Sequence, residues 1–323
     1  MSKYSQQVLQ LLYHSQPDYI SGQKIAEQLD ISRTAVKKVI DQLKAQGCDI
    51  ESVNHKGHIL KALPNQWYPG IVAEMTATSD LFDFCEVYDT IDSTQLAAKK
   101  SLVGNDQHFF VLSDEQTQGR GRFKRYWSSI KGQGLWMSLV LRPKVPFSMI
   151  SKFNLFIALG IRDAIQNFTI DPVKIKWPND IYIEQGKVCG FLTEMVANHD
   201  GIEAIICGIG INMTQQQDDF SDNIKHRATS IQLHNTDDIN RYHLLQTLLH
   251  NIEYRYRQFL TLPFSDIRDE YKNASNIWNR TLTFTESDQQ FEGQAVDIDE
   301  EGYLIVQDND GKTHQLISAD IEF

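Results

Sequence analysis

The stretch LPNQWYPG, residues 63 to 70, constrains the fold more than any other feature of the chain. Two prolines and a glycine in eight positions let neither a helix nor a central strand run through it, because proline fixes φ and lacks a backbone donor. The 323 residues therefore divide into a short head and a long body. The expected boundaries are 1–63 for the head, 64–70 for a linker or docking segment, 71–270 for a central domain and 271–323 for a small C-terminal one. Charge divides at the same place. Residues 1 to 63 carry eight Lys or Arg against six Asp or Glu, a net of +2; the remaining 260 carry 23 against 36, a net of −13. Two electrostatic characters point to two jobs.

The head reads as a DNA-binding unit. In SGQKIAEQLDISRTAVKKVIDQLKAQG two short amphipathic helices break at LDIS, with Ile25, Ala26, Leu29, Val36, Ile40 and Leu43 as their packing residues. Ser32 is placed to cap the second helix and Gly47 to stop it. Ser32, Arg33, Thr34, Lys37 and Lys38 then fall early in a recognition helix, where polar and basic groups meet bases and phosphates. CDIESVNHKGHILKAL follows as two strands around a tight turn, a wing that lays Lys56 beside a nucleic-acid backbone. A module of net charge +2 binds DNA weakly alone, so a dimer on two half-sites is the expected form.

Past residue 70, strand and helix patterns mix without regular βαβ repetition, which predicts an α+β fold around a mixed sheet. CEVYDTI, HFFVLSDEQT, GLWMSLVLRP and IEAIICGIGINM read as strands, and VKIKWPNDIYIEQGKVCGFLTEMVA as strand, turn and strand. DSTQLAAKKSLVG, with Ser93 or Asp92 as its cap, and SMISKFNLFIALGIRDAIQNF read as helices. GIGIN trails an extended run instead of opening a helix, so it is no dinucleotide fingerprint. RYHLLQTLLHNIEYRYRQFL is a further helix, and beyond residue 280 alternating strands with DEEG and NDG turns predict a small β-barrel.

TQGRGRFKRYWSS, residues 117 to 129, sets four cations among glycines in an otherwise acidic body. Its spacing is not that of a P-loop, and arginine–glycine tracts that bind RNA are longer and repeated. A single loop wrapping anionic oxygens fits better. The four cysteines, Cys48, Cys85, Cys189 and Cys207, lie far apart and read as reduced thiols with no metal site. The first residues are too polar for a signal peptide, and FNLFIALGI falls far short of a membrane span, so a cytoplasmic protein without membrane contact is expected.

DST at 92–94, EQTQGRGR at 115–122 with Trp127, KWPND at 176–180, GKVCGFLTE at 186–194 and GIGIN at 208–212 occur in this order behind the winged head. In that combination the chain resembles the bifunctional biotin protein ligases that double as biotin operon repressors. The resemblance implies three parts: a winged helix-turn-helix, a mixed-sheet catalytic domain of the biotin/lipoate-ligase kind, and an SH3-like β-barrel. It implies a ligase that makes biotinyl-5'-AMP from biotin and ATP with Mg²⁺ and passes biotin to a lysine of biotin carboxyl carrier domains, those of acetyl-CoA carboxylase and pyruvate carboxylase. It further implies a homodimer, formed when the adenylate is bound as corepressor, on biotin operator DNA.

Carried over position by position, Ser93, Thr94, Gln95 and Gln116 would read the biotin ureido ring. Gly119, Arg120, Gly121 and Arg122 would form the adenylate loop, with Phe123 as an apolar wall and Trp127 stacking near adenine. Lys187 would hold the carboxylate and then the acyl carbonyl, Asp180 would orient the acceptor lysine or help carry metal-assisted charge, and Asn212 would face the nucleotide. Lys176 and Asn179 would belong to the same half of the site. The loop departs from the family form GRGRRGR: Phe123 replaces an arginine and Lys124 a glycine, which bears on how the loop closes.

Overall fold

The computed structural model describes residues 3–198, 201–286, 289–317, 319 and 321. The head is α1 (Lys3–His14), α2 (Gly22–Leu29), α3 (Arg33–Ala45) and the hairpin of β1 (Asp49–Val53) and β2 (Gly57–Ala62). Ser21 caps α2 by accepting from Lys24 N, and Asp30 in the left-handed region ends it. Ser32 accepts from Ala35 N at 3.1 Å and so starts α3 where the sequence places it. Val8, Leu9, Leu12, Ile25, Val36, Ile40 and Leu43 close the head's core, Leu29 packing against it half-buried. At the wing, Gly57 has φ +114° and a Cβ there would lie 2.2 Å from the Ile20 carbonyl oxygen, so no other residue fits the turn.

The body is built on a seven-stranded sheet. Its elements in chain order are α4 (Pro69–Ala77), β3 (Phe84–Ile91), α5 (Thr94–Ser101), β4 (Phe109–Gln116), β5 (Gly134–Leu141), α6 (Ile150–Gln166), β6 (Val173–Lys176), β7 (Asp180–Ile183), β8 (Gly186–Asn198), β9 (Gly201–Asn212), α7 (Arg241–Thr261) and α8 (Arg268–Ala274). The sheet order is β3-β4-β5-β9-β8-β7-β6, with only the β3–β4 pair parallel. The region expected as strand, turn, strand is thus three strands, because Lys176 and Asp180 pair across the three-residue turn 177–179, which holds the cis Trp177–Pro178 peptide. Helix α6 is buried along most of its length and packs with α7 over the sheet, which explains its near-continuous apolar run.

After α8 comes a four-stranded antiparallel meander, β10 (Thr281–Glu286), β11 (Gln289–Ile298), β12 (Leu304–Asp308) and β13 (Thr313–Leu316), around Leu282, Phe284, Ile298, Leu304 and Val306. This small sheet stands where the β-barrel is expected; among the described residues its first and last strands do not pair. Positions 318, 320, 322 and 323 of the expected final strand lie outside the described residues.

The proline-bearing segment is docked, not loose. Trp67 and Tyr68 are 5% and 3% exposed. Burying two such rings contributes roughly 4–6 kcal/mol each as an upper bound at about 25 cal/mol/Å². The guanidinium of Arg241 lies 3.8 Å over the Trp67 ring and 2.7 Å from the Asp114 carboxylate, which also accepts from Trp67 N. Tyr242 Oη accepts from Tyr68 N and donates to Gln66 O, while its ring meets Tyr13 of α1. Asn65 donates to Gly132 O, and Gly132 N in turn donates to Asp114 O. Head and body therefore share one core, and the segment between them is docked on a buried ion pair of the body.

Candidate active site and nucleic-acid face

The site lies where β4, β5, β8 and β9 present small or polar residues above the sheet. Ser138 sits in a strand whose every residue is buried, and its hydroxyl needs partners there. It meets Thr94 Oγ1 at 2.9 Å and donates to Gln95 Oε1 at 3.0 Å. Thr94 N and Oγ1 donate to Gln116 Oε1, Gln116 Nε2 donates to Ser129 Oγ, and Gln95 Nε2 donates to Glu194, which also pairs with Lys99. The expected residues Thr94, Gln95 and Gln116 are thus joined in one polar chain, together with Ser129, Ser138 and Glu194. Ser93 is 1% exposed at the start of α5. Of the two expected caps, Ser93 holds the N-cap position but its side chain makes no capping bond, and the Asp92 carboxylate accepts from Ser93 N.

Beside this chain the floor is bare backbone. Gly190 and Gly210 are direct partners in the β8–β9 ladder, and the Trp127 indole lies against both. A Cβ on Gly210 would come within 2.5 Å of Trp127 Nε1, and one on Gly190 within 3.2 Å of Trp127 and of Lys187 Nζ. Trp127 Nε1 is buried and has no hydrogen-bond partner among the described residues. The Lys187 ammonium sits 5.4 Å above the indole and 2.7 Å from Asp180 Oδ1. A bulge between Ile181 and Tyr182 sets that register. The nearby thiols are poor nucleophiles: burial pushes Cys207 up to about 12 and Cys189 well above its ordinary value.

The loop from 117 to 133 roofs the floor. Gly119 is required, since a Cβ would lie 2.3 Å from Trp127 O. Arg122 donates to Asn179 Oδ1 at 2.9 Å and to Ala319 O at 3.4 Å, and Asn179 is anchored to β8 by donating to Phe191 O at 2.6 Å. Gly121 N donates to Arg125 O within the turn. Phe123 and Lys124 have φ +54° and +59°. Left-handed backbone costs a non-glycine residue about 1–2 kcal/mol, so the Lys124 replacement is paid at this spot as backbone strain. Phe123 is not a buried wall here; it is 63% exposed, flanked by Arg122 at 5.0 Å and Arg125 at 5.7 Å. Arg120 is exposed and bridged through its backbone to Tyr126, at the base of the turn that carries Phe123 and Lys124. Asn212 is 6% exposed, and its amide donates to Thr229 O at 2.9 Å, so it faces backbone. Lys176 stacks on Tyr182 at 5.7 Å.

In the head, Ser32, Arg33, Thr34, Lys37, Lys38 and Lys56 are all exposed. The first five occupy the start of α3 and Lys56 the wing turn, with its ammonium 5.9 Å over Tyr19.

A winged head on a mixed sheet whose glycine floor is roofed by a cationic loop defines a ligase of the biotin/lipoate class joined to a DNA-binding unit. The profile described as "Biotin/lipoate A/B protein ligase family" matches residues 87–212, "HTH domain" matches 5–59, and "Biotin protein ligase C terminal domain" matches 279–323. The chain is 36% identical over 321 residues to the bifunctional ligase/repressor BirA of Bacillus subtilis, covering 98% of this chain and 97% of that one. It is 24% identical to the protein of the same name from Escherichia coli, covering 90% and 88%. The biotin protein ligase of Aquifex aeolicus, solved with biotin and ATP, superposes with TM-score 0.64 at 26% identity, over 75% of this chain and 99% of that one. The chain belongs to the family of bifunctional biotin ligase/repressors: it is an ATP-dependent biotin protein ligase and an adenylate-regulated transcriptional repressor.

Proposed function

We propose the following division of labour within that activity. The chain of Thr94, Ser138, Gln95, Gln116 and Ser129 reads the ureido ring of biotin, where an unmatched donor or acceptor costs about 1–3 kcal/mol. Ser93, buried and not spent on a cap, adds one more hydroxyl. The ring system lies on the Gly190–Gly210 floor, and Trp127 leaves part of that floor to stack on the nucleotide, which would give its unpartnered Nε1 a chance to bond. A biotin carboxylate oxygen attacks the α-phosphorus of ATP, the bond to pyrophosphate breaks, and biotinyl-5'-AMP forms. Arg122 and the exposed Arg120 stabilise the charge that shifts to pyrophosphate, and Lys187 neutralises the carboxylate. Mg²⁺ would enter on the triphosphate and neutralise phosphate charge; Asp180, the one carboxylate at this point, is already paired with Lys187.

In the second half the acceptor lysine nitrogen attacks the acyl carbon and AMP leaves. Asp180 receives or orients the ammonium proton of that lysine while Lys187 turns to the acyl oxygen. Biotin carboxyl carrier domains, including those of acetyl-CoA carboxylase and pyruvate carboxylase, are the acceptors. The same surface, in the adenylate-bound form, makes the homodimer that lays two α3 helices on operator half-sites. Four free thiols, three of them buried, suit a cytoplasmic setting. The domain limits proposed are 1–63, 64–70, 71–270 and 271–323.

The observation that carries this reading is the single polar chain from Glu194 to Ser129, whose hydroxyl donates to the backbone of Trp127, the residue whose indole lies under the Lys187 ammonium. Incubation with ATP, Mg²⁺ and a carrier domain, once with biotin and once with lipoate, is read by intact mass. A mass gain with biotin alone is expected; gain with lipoate alone marks a lipoate ligase, and gain with neither a ligand-sensing repressor without ligase chemistry.

A further inference from the structure

Beneath the start of β8, which carries Lys187, lies a partly buried relay that the ligase reading leaves unused. His234 Nδ1 is 2.8 Å from Asp171 Oδ2, and its Nε2 is 2.9 Å from Thr229 Oγ1. Carboxylate, imidazole and hydroxyl in that order have the connectivity of a nucleophilic triad. The location forbids that role. Thr229 is 5% exposed, and its Cβ and methyl press on Gly186 so closely that a Cβ there would lie 2.6 Å away, leaving no room for a substrate carbonyl. What Thr229 does touch is the site's backbone. Lys187 N donates to Arg227 O at 2.8 Å, Thr229 N donates to Lys187 O at 3.1 Å, and Asn212 Nδ2 donates to Thr229 O. The segment 227–229 is therefore stitched to Lys187 on both sides, in parallel register.

The far end of the relay is equally fixed. Asp171 follows α6, where Thr169 Oγ1 donates to His234 O and accepts from Asp171 N, and Asn235 Nδ2 donates to Phe168 O. His234 is thus held by its backbone and by both ring nitrogens, against an element that lies outside the site.

We propose that Asp171, His234 and Thr229 form a positioning relay that sets the seat of Lys187 and Asn212, and so the rate of adenylate formation. It rests on the reading of Lys187 given above. The Thr229 hydroxyl bond fixes its side chain in one rotamer, and that rotamer fixes the strand of backbone bonded to Lys187. Reacting groups displaced by about 1 Å lose up to about a hundredfold in rate, so partial loosening here costs roughly tenfold. None of the three residues touches substrate, so substrate affinity is untouched.

Biotin-dependent exchange of labelled pyrophosphate into ATP, measured on the full chain, tests this. Thr229→Val keeps the branched shape and removes the hydroxyl; His234→Gln and the half-exposed Asp171→Asn loosen the other joints. Each is expected to lower kcat about tenfold with the KM for biotin within about twofold, while Thr229→Ser restores most of the rate. The Thr229→Val/His234→Gln double variant is expected to be no slower than either single variant, because one chain is cut once. Wild-type kcat in the single variants, or losses that multiply in the double variant, overturns the relay. Lys187→Ala separates the two layers: if it abolishes exchange while the relay variants do not slow it, only the relay falls. If Lys187→Ala exchanges normally, the reading of the site falls and the relay with it.

Discussion

Replacing Arg241 by methionine isolates the ion pair of the body on which the connecting segment is docked through Trp67. Arg241 and Asp114 are 4% and 2% exposed, and Oδ1 and the guanidinium nitrogens lack well-directed hydrogen bonds among the described residues. The 2.7 Å contact is thus mainly charge against charge, with the Trp67 face as the other wall. Removing the cation strands a buried carboxylate held only by Trp67 N, a loss of about 3–5 kcal/mol. At about 2–4 °C per kcal/mol for a domain of this size, melting should fall by roughly 6–20 °C. The pH dependence supplies the sharper check. Burial already pushes the Asp114 carboxyl above its ordinary value against the pull of Arg241, and without the arginine it rises further. A carboxyl with a raised folded-state pKa binds protons more tightly when folded, so its contribution to stability falls as pH rises through that pKa and returns on acidification. Calorimetry of both proteins at about pH 5.5 and about pH 8 should therefore show the gap narrowing at the lower pH. A gap that is constant, or wider in acid, refutes the buried-charge account. Arg241→Met with Asp114→Leu, which removes both charges, should recover most of the loss.

Ser138→Ala should raise the KM for biotin by about five- to a hundredfold and lower melting by about 2–12 °C, since it leaves buried Thr94 and half-buried Gln95 short of a partner worth about 1–3 kcal/mol; an unaltered KM would remove Ser138 from the recognition chain. Gly210→Ala drives a methyl into the space of the Trp127 indole, so tryptophan fluorescence should shift and adenylate formation fall steeply, and a fluorescence spectrum like that of the parent would contradict the placement. Lys37→Ala and Lys38→Ala together should weaken operator binding evenly across sequences and reduce the salt slope by about one per lysine, read by fluorescence anisotropy at several salt concentrations.

What could be read from the sequence were the features written in local chemistry. The Ser32 cap, the Gly57 turn and the apolar spacing of α3 are each set within a few residues, and all stand where the pattern puts them. Helix α1 opens without an acidic first turn, and β6 and β7 are only four residues each, too short for a period to show. The site was legible as motifs but not as contacts. Ser138 hides in an apolar strand, its one signal being a hydroxyl where a buried side chain must find a partner. The Lys187–Asp180 pair depends on a bulge, and the Arg122–Asn179 bond on a loop folding over a distant strand. Non-local pairing of this kind leaves no periodic trace. Phe123 shows the reverse: its exposure and left-handed backbone follow from the turn it occupies and not from its apolar side chain.

Asn65 and Trp67 grip both ends of the cationic loop, at Gly132 and at Asp114, while Tyr68 lies 3.6 Å from Cys48 beside the wing. A reading head fastened in this way is a caliper jaw and not a hook on a string. In the proposed homodimer the span between the two α3 helices would be set by the bodies, leaving little orientational freedom for DNA to extract. A spacer longer or shorter by one base pair would then be discriminated by the stiffness of a joint made from two aromatic rings and one ion pair.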